Sequence, residues 1–537
     1  MKRRDFLKAG VLGGVALMAG TSEAQSGQDL PPEFELDEKT IGDLQDAMRS
    51  GQESSASITE KYLGRIESVD HPLVNSVIEL NPDAESIAVA MDEERRAGKT
   101  RGPLHGIPVL IKDNIDTADK MRTTAGSMAL AESIALKDSF VAAQLRKAGA
   151  VILGKTNLSE WANYRSTHST SGWSGRGGQT HNPYALDRNP CGSSSGSGAA
   201  ASANFCAVAV GTETDGSIVC PSNNNCLVGI KPTVGLIGRT GIIPISHSQD
   251  TSGPMARSVR DAAILLTALA GRDKQDAAAT GKYGIDYTHF LDRHGLKGAR
   301  IGVARKFFGF SDAVDKVMAD AIHAMKKLGA VIVDPADLPT YGKFDDSEGL
   351  VLSYEFKADL EKYLSHLRPG QPKTLKELID FNHNHKDVEM PFFGQELFFQ
   401  SEARGPLTEA KYKKALAKNH RLARTEGIDA VMDKHHLDAL IAPTGGPGWT
   451  TDLINGDHFT GGSSSPAAVA GYPDITVPAG FVSGMPVGIS FFGRAWSEGL
   501  LIKLAYAFEQ ETKVRKKPRF LPTADFGDQR SKAYKSS

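Results

Sequence analysis

Two serine-bearing turns and one lysine are the residues of this chain best suited to chemistry. Cys191–Gly192–Ser193–Ser194–Ser195–Gly196 sets three consecutive hydroxyls between glycines, and Ser217 closes a second polar turn after Thr214–Asp215–Gly216. Small residues, Ala199 to Ala203, and an apolar segment, Ala207 to Val210, lie between them. Gly/Ser composition also marks flexible linkers, but a linker would be polar throughout. The stretch from Cys191 to Gly235 therefore reads as a helix–strand unit with hydroxyls presented to a pocket at its ends. Lys112 closes the run Gly106–Ile107–Pro108–Val109–Leu110–Ile111. A lysine there is either a side chain that snorkels at a strand end or a functional amine. Desolvation disfavours the ammonium, and a neutral lysine serves as a general base. Position alone leaves both readings open.

Other chemistries fit less well. Gly192–Ser193–Ser194–Ser195–Gly196 satisfies the G-x-S-x-G nucleophile elbow, which should follow a strand directly. Here it follows Asp187–Arg188–Asn189–Pro190, a turn. No serine has a lysine three residues later, which removes the S-x-x-K chemistry of serine β-lactamases. His181, His247 and the pairs His383/His385 and His435/His436 stand in no distinctive context, and no carboxylate or cysteine partner for a metal is evident. The four cysteines, Cys191, Cys206, Cys220 and Cys226, form no C-x-x-C pair. Free, mostly buried thiols are expected, with a Cys220–Cys226 bridge as the alternative.

The elements that must hold these residues follow from periodicity. Thr40 to Val69 reads as two helices and Pro82 to Ala97 as a third, from apolar residues at three- and four-residue spacing. Ile107 to Ile111 is a buried strand; Phe140 to Ala148 and Ala150 to Leu153 make a helix–strand unit. Asn157 to Asn189 is a long polar connection whose Trp161, Tyr164 and Trp173 suit an ordered wall. Leu227–Ile230 and Gly241–Pro244 are strand-like, and Val259 to Ala270 is helical. A strand–helix–strand pattern follows from Ala299 to Val333. Tyr354 to Leu437 reads as a helical lid or peripheral layer. Ala439–Ala442, Asp474–Val477 and Val487–Phe491 return to strands, and Gly499 to Glu511 closes the chain as a helix. Such alternation predicts an α/β sheet sandwiched by helices in one large domain.

The chain has 537 residues, 40 % hydrophobic and 23 % charged, with a net charge of −2. That balance carries no footprint for nucleic acid. Residues 1–24 have the order of a signal peptide: Lys2–Arg3–Arg4, a modest apolar run, then Ser22–Glu23–Ala24. Arg3–Arg4–Asp5–Phe6–Leu7–Lys8 is similar to a twin-arginine export signal, and the run is short for the roughly 20 residues of a membrane span. A bacterial protein exported to the periplasm or beyond is expected, without stable membrane insertion. Folding in a reducing cytoplasm before export weighs against disulfides.

GIPVLIKDNI, CGSSSGSGAA, GTETDGSIVCPS, GIKPTVG, DALIAPT and GYPDITVPAG resemble, in order, the blocks of the amidase signature family of serine hydrolases. NLSEWANYRS, SGWSGRGGQT and TETDGS resemble its bacterial peptide amidase branch. The resemblance implies a large mixed, mostly parallel twisted sheet covered by helices, as one domain over residues 30–525 with a tail at 526–537. It implies Ser217 as nucleophile, Ser193 as bridging serine on a cis peptide bond, and Lys112 as general base. Backbone N–H groups of Thr214, Asp215, Gly216 and Ser217 would hold the oxyanion, and no metal or organic cofactor is implied. Two departures stand out: Asp215 where most members carry glycine, which bears on substrate, and Cys191, read as packing. Ser171 and Trp173 are substrate-binding candidates, with Trp161 and Trp449 as wall or packing residues. A peptide or small-molecule amide is the expected substrate. The alternatives are a broad aliphatic, aryl or fatty-acid amidase, the glutaminase-type subunit of a tRNA-dependent amidotransferase, and a catalytically silent amide-binding protein.

Overall fold

The computed structural model describes residues 31–526. The expected signal peptide and nearly all of the expected tail lie outside the described residues. Thirteen strands are formed among the described residues. The first five are β1 (Val77–Leu80), β2 (Pro108–Lys112), β3 (Val151–Thr156), β4 (Trp173–Ser174) and β5 (Gly178–Gln179). Four more are β6 (Val208–Glu213), β7 (Val228–Lys231), β8 (Thr251–Ala256) and β9 (Arg300–Val303). The last four are β10 (Val331–Val333), β11 (Ala439–Pro443), β12 (Asp474–Val482) and β13 (Met485–Phe492). Strands β4 and β5 pair only with each other; the other eleven form one sheet in the order β1-β3-β2-β6-β8-β7-β12-β13-β11-β9-β10. It is a mixed sheet flanked by helices. Parallel pairing joins β3-β2-β6 and β11-β9-β10, and the strands between pair antiparallel. Strands β2, β3, β6, β7, β8 and β11 are buried along their whole length, which is why all of them but β8 read as apolar runs rather than as alternating patterns.

Two strand readings change. Gly241–Pro244 is not a strand: Ile242 makes a single bridge to Ile115, and Gly241, at φ 78°, turns the chain against Ser139. The strand that periodicity hides is β8, which contains Gly253 and Pro254. Proline lacks the N–H a central strand needs on both edges, yet Pro254 sits opposite Val210 in the middle of the sheet. Gly253 is required there, because a Cβ would lie 2.0 Å from the Ile230 carbonyl oxygen.

The small-residue run forms the helix Ser195–Ser202, buried at every position. Its bareness is what lets it lie so close to its neighbours. A Cβ on Gly196 would stand 2.3 Å from the Ser76 carbonyl oxygen and 2.4 Å from that of Asn157. The helix packs against β6 and β3 through Ser197, whose hydroxyl donates to Val210 O at 3.0 Å and lies 2.7 Å from Thr156 Oγ1. The helical region, from Asp345–Ser365 to Asp429–His435, has its own apolar clusters.

Candidate active site

Parallel neighbours β2 and β6 deliver two of the three expected groups. Lys112 is the last residue of β2 and has 0 % exposure, so it does not snorkel to solvent. Its ammonium nitrogen donates to Ser193 Oγ at 2.7 Å, to Thr212 Oγ1 at 2.9 Å and to Thr212 O at 3.3 Å. Ser193 follows a cis Gly192–Ser193 peptide bond, one of the two positions the resemblance implied. Burial pushes the Lys112 amine down to about 7, against the pull of Asp250 and Glu213, whose negative charges favour the ammonium. The amine is thus uncharged over the upper part of the neutral range, the state a base requires.

Ser217 lies just beyond β6, 8 % exposed, with its turn fastened to that of Ser193: Ser194 N–H donates to Ser217 O at 3.2 Å. Glu213 shapes the turn. Its carboxylate accepts from Gly216 N at 2.9 Å, Ile218 N at 2.7 Å and Val219 N at 3.1 Å. The clasp spans the N–H groups on both sides of Ser217 and leaves the serine itself free. It also corrects one expectation: the Gly216 N–H is already engaged and drops out of the oxyanion set. The N–H groups of Asp215 and Ser217 make no hydrogen bond among the described residues. Thr214 is held through its hydroxyl, which donates to Asp250 Oδ1 at 2.6 Å.

The cysteines are corrected too. Cys191 and Cys220 are joined as a disulfide, with 5.9 Å between their Cα atoms, while Cys206 and Cys226 are buried free thiols. The bridge closes a loop that contains both Ser193 and Ser217. Spacing in sequence, 29 residues, gives no hint that the two turns face each other, so neither free Cys191 and Cys220 thiols nor a Cys220–Cys226 pair describes them.

Ser171 lies beside the cis bond, and both it and Trp173 are committed to protein partners. A Cβ on Gly192 would fall 3.2 Å from Ser171 Cβ. The Ser171 hydroxyl donates to Asp457 Oδ2 at 2.5 Å, and its N–H to Asp457 Oδ1 at 2.9 Å. Trp173 packs edge-on against Phe392 and Phe393, with the Arg165 guanidinium 5.6 Å from its ring. Trp161 packs on Phe398, and Trp449 donates to Asp457 at 3.3 Å. Loop 444–464 therefore ties both halves of the site, since Ser464 at its far end donates to Asp215 Oδ1 at 2.5 Å.

Sequence reasoning gave His247 no partners because they come from far along the chain. His247 Nδ1 meets Asp359 at 2.8 Å, and Glu355 accepts from Tyr412 at 2.6 Å and from Ser246 at 2.5 Å. The ligand-type atoms of His247, Glu355 and Asp359 lie within 4.8 Å of one another. The cluster fastens the helix Asp345–Ser365 to the loop that ends in Asp250. The partners of the site that were missed, Glu213, Thr212, Asp250 and Asp457, include one within reach of sequence: a carboxylate three residues before Gly216 suits a turn cap.

Comparison with known proteins decides the family. A family model for amidases matches residues 57–502. The chain belongs to the amidase signature family. It is a hydrolase acting on amide bonds. This amidase is similar to the native peptide amidase of Stenotrophomonas maltophilia, with 50 % identity, a TM-score of 0.87, and coverage of 91 % of this chain and 100 % of that one. A probable amidase of Arabidopsis thaliana is 42 % identical over 500 residues, covering 91 % of this amidase and 93 % of the plant protein. A glutamyl-tRNA(Gln) amidotransferase subunit of Thermoanaerobacter pseudethanolicus is 33 % identical over 507 residues, covering 90 % and 99 %. No helix among the described residues is long and apolar enough to cross a membrane.

Proposed function

We propose that this amidase removes the C-terminal carboxamide of peptides, as carboxylate and ammonia, with Ser217 as nucleophile, Ser193 as proton relay and Lys112 as base. The observation that carries the reading is the 2.7 Å contact from a wholly buried Lys112 amine to Ser193 Oγ. The likeness to a peptide amidase at 50 % identity supports the substrate class. In the acylation step, Ser217 Oγ bonds to the amide carbon as its proton passes through Ser193 to neutral Lys112. The free N–H groups of Ser217 and Asp215 face the developing oxyanion; one such donor is typically worth about 3 kcal/mol in the transition state. Lys112 then returns the proton through Ser193 to the leaving nitrogen. The carbon–nitrogen bond breaks, ammonia departs, and water repeats the attack on the acyl-enzyme by the same relay. The route needs no cofactor.

Export by the twin-arginine route belongs to the same proposal. It rests on Arg3–Arg4 and the residues that follow, and it places the enzyme outside the cytoplasm, away from tRNA charging.

The test is ammonia release from amidated peptides, fatty amides, aryl amides and glutamine, with fluorophosphonate labelling of the purified protein. We expect peptide amides to lead, and Ser217→Ala to lose both the label and about 10⁴-fold or more of kcat. Retention of label and turnover by that variant removes Ser217 as nucleophile. A preference for aryl or fatty amides keeps the chemistry and replaces the substrate.

A further inference from the structure

Cys191 and Cys220 bracket the two serines of the site. Cys191 stands two residues before Ser193, and Cys220 three residues after Ser217. Each is fastened close to the serine it accompanies. Cys220 N–H donates to Gly216 O at 2.8 Å, across Ser217, and Cys191 N–H donates to Asn189 Oδ1 at 2.8 Å. Their disulfide is thus a covalent tie between the relay turn and the nucleophile turn. A hydrogen bond also joins these turns, from Ser194 N–H to Ser217 O, but at 3.2 Å it sits at the long end of the range. Cys191 has φ 60°, in the left-handed region that glycine occupies freely and a residue with a Cβ does not. A thiol is therefore carried where the backbone favours glycine. The other two cysteines, Cys206 and Cys226, are buried free thiols. Burial pushes the Cys206 thiol up to about 12 and raises that of Cys226. Thiol exchange proceeds through the thiolate, so it falls to Cys191 and Cys220, which are 5 % and 8 % exposed.

We infer that the Cys191–Cys220 bond is a redox switch on this site: the chain is a poor catalyst as a dithiol, and oxidation by an external disulfide turns it on. This rests on Ser193 and Ser217 acting as relay and nucleophile. A proton relay needs its heavy atoms at hydrogen-bond separation, about 2.6–3.2 Å, and a misplacement of about 1 Å can cost about 10²-fold in rate. With both thiols free, the two turns are left to the Ser194–Ser217 hydrogen bond and the packing around them. With the bond closed, they move together. Closure is a two-electron exchange. One cysteine thiolate attacks a sulfur of the incoming disulfide and expels a thiolate; the second cysteine then attacks the mixed disulfide and expels the other. The pair loses two electrons and two protons, and the oxidant leaves as two thiols. Disulfide donors are available outside the cytoplasm, whereas the cytosolic thiol pool keeps such a pair reduced. A chain that folds before export, by the route proposed above, is in this way kept quiet among cytoplasmic amides.

The test compares one protein in two redox states. The purified enzyme is reduced with a phosphine, its thiols are counted by alkylation in denaturant and intact mass, and ammonia release from a peptide carboxamide is followed. Oxidised glutathione is then added and the assay repeated. The oxidised enzyme should show the two thiols of Cys206 and Cys226, and the reduced enzyme four. Reduction should lower kcat by about tenfold or more with KM within about threefold, and reoxidation should restore it. Cys191→Gly removes the thiol at a position whose backbone suits glycine, so it should fold, stay at the reduced level and ignore both reagents. A fully reduced enzyme with kcat within about twofold of the oxidised one overturns the switch, as does Cys191→Gly with the parent's kcat. A bond that resists the phosphine in the folded enzyme also overturns it, because exchange could not reach the pair. So does a reduced enzyme that circular dichroism finds unfolded at the assay temperature, the bond then being a staple of the whole fold. Turnover retained by Ser217→Ala would sink the nucleophile assignment instead, while the ratio of oxidised to reduced kcat in the parent still decides the switch.

Discussion

Lys112 shows how one residue can be costly to the fold and indispensable to the proposed reaction. Its amine is pushed from 10.5 to about 7 by burial, so the folded chain holds fewer protons than the unfolded chain between those values. Stability from this group therefore rises with pH from about 7 to 10.5 and is lowest where the ammonium must be carried inside. Activity follows the same titration: kcat/KM should fall as pH drops below about 7, because protonated Lys112 accepts nothing. Lys112→Met should lose kcat by about 10³-fold or more while melting no lower than wild type at pH 7. The stability gap between the two proteins should narrow toward pH 10, as urea melts at both pH values would show. A variant that keeps the wild-type acid limb would remove Lys112 as base.

At the scale of elements, a bare helix and a carboxylate clasp place the serines. The helix Ser195–Ser202 fits because Gly196 presents no side chain to two carbonyl oxygens 2.3 and 2.4 Å away. Gly196→Ala must displace backbone, not a flexible side chain, and should cost about 2–3 kcal/mol or more in a denaturant melt. Melting within experimental error of wild type would mean the contact is not enforced. Glu213 clasps the N–H groups on either side of Ser217 and also pulls the Lys112 amine upward. Glu213→Gln should therefore lower kcat by about 10²-fold, in the range of one misplaced oxyanion donor. It should also move the acid limb of the pH profile to lower pH. A purely structural loss would leave that limb where it is.

At the scale of the whole molecule, the sheet brings distant segments to one place, and the helical region from Asp345 onward reaches the site through Glu348, Glu355 and Asp359. Export concerns the molecule entire. Arg3→Lys together with Arg4→Lys should keep the protein in the cytoplasm with its first 24 or so residues attached, as fractionation and intact-mass measurement would show. Normal export of that variant would refute the twin-arginine route. The Cys191–Cys220 bond is compatible with it if the two cysteines are paired only after translocation.

The local content of the chain was open to sequence reading wherever chemistry and periodicity coincide. Strand β2 ending in Lys112, strand β6, and the small-residue helix were legible because buried strands are continuous apolar runs and a helix without side chains signals close approach. The order of the serine blocks carried the family. Strand β8 was not legible, since Gly253 and Pro254 are poor strand formers locally and are retained for the approach of Ile230 and the pairing with Val210. Partners 29 to 286 residues apart were equally hidden: Cys191 with Cys220, Asp457 with Ser171, and Ser464 with Asp215. Such contacts are properties of the folded surface, set by which turns the sheet aligns. The sequence by itself determined which groups can react. Tertiary structure alone decided the depth at which Lys112 is buried, the hydroxyl it touches, and the charges that surround it, because desolvation and distance exist only once the chain is closed.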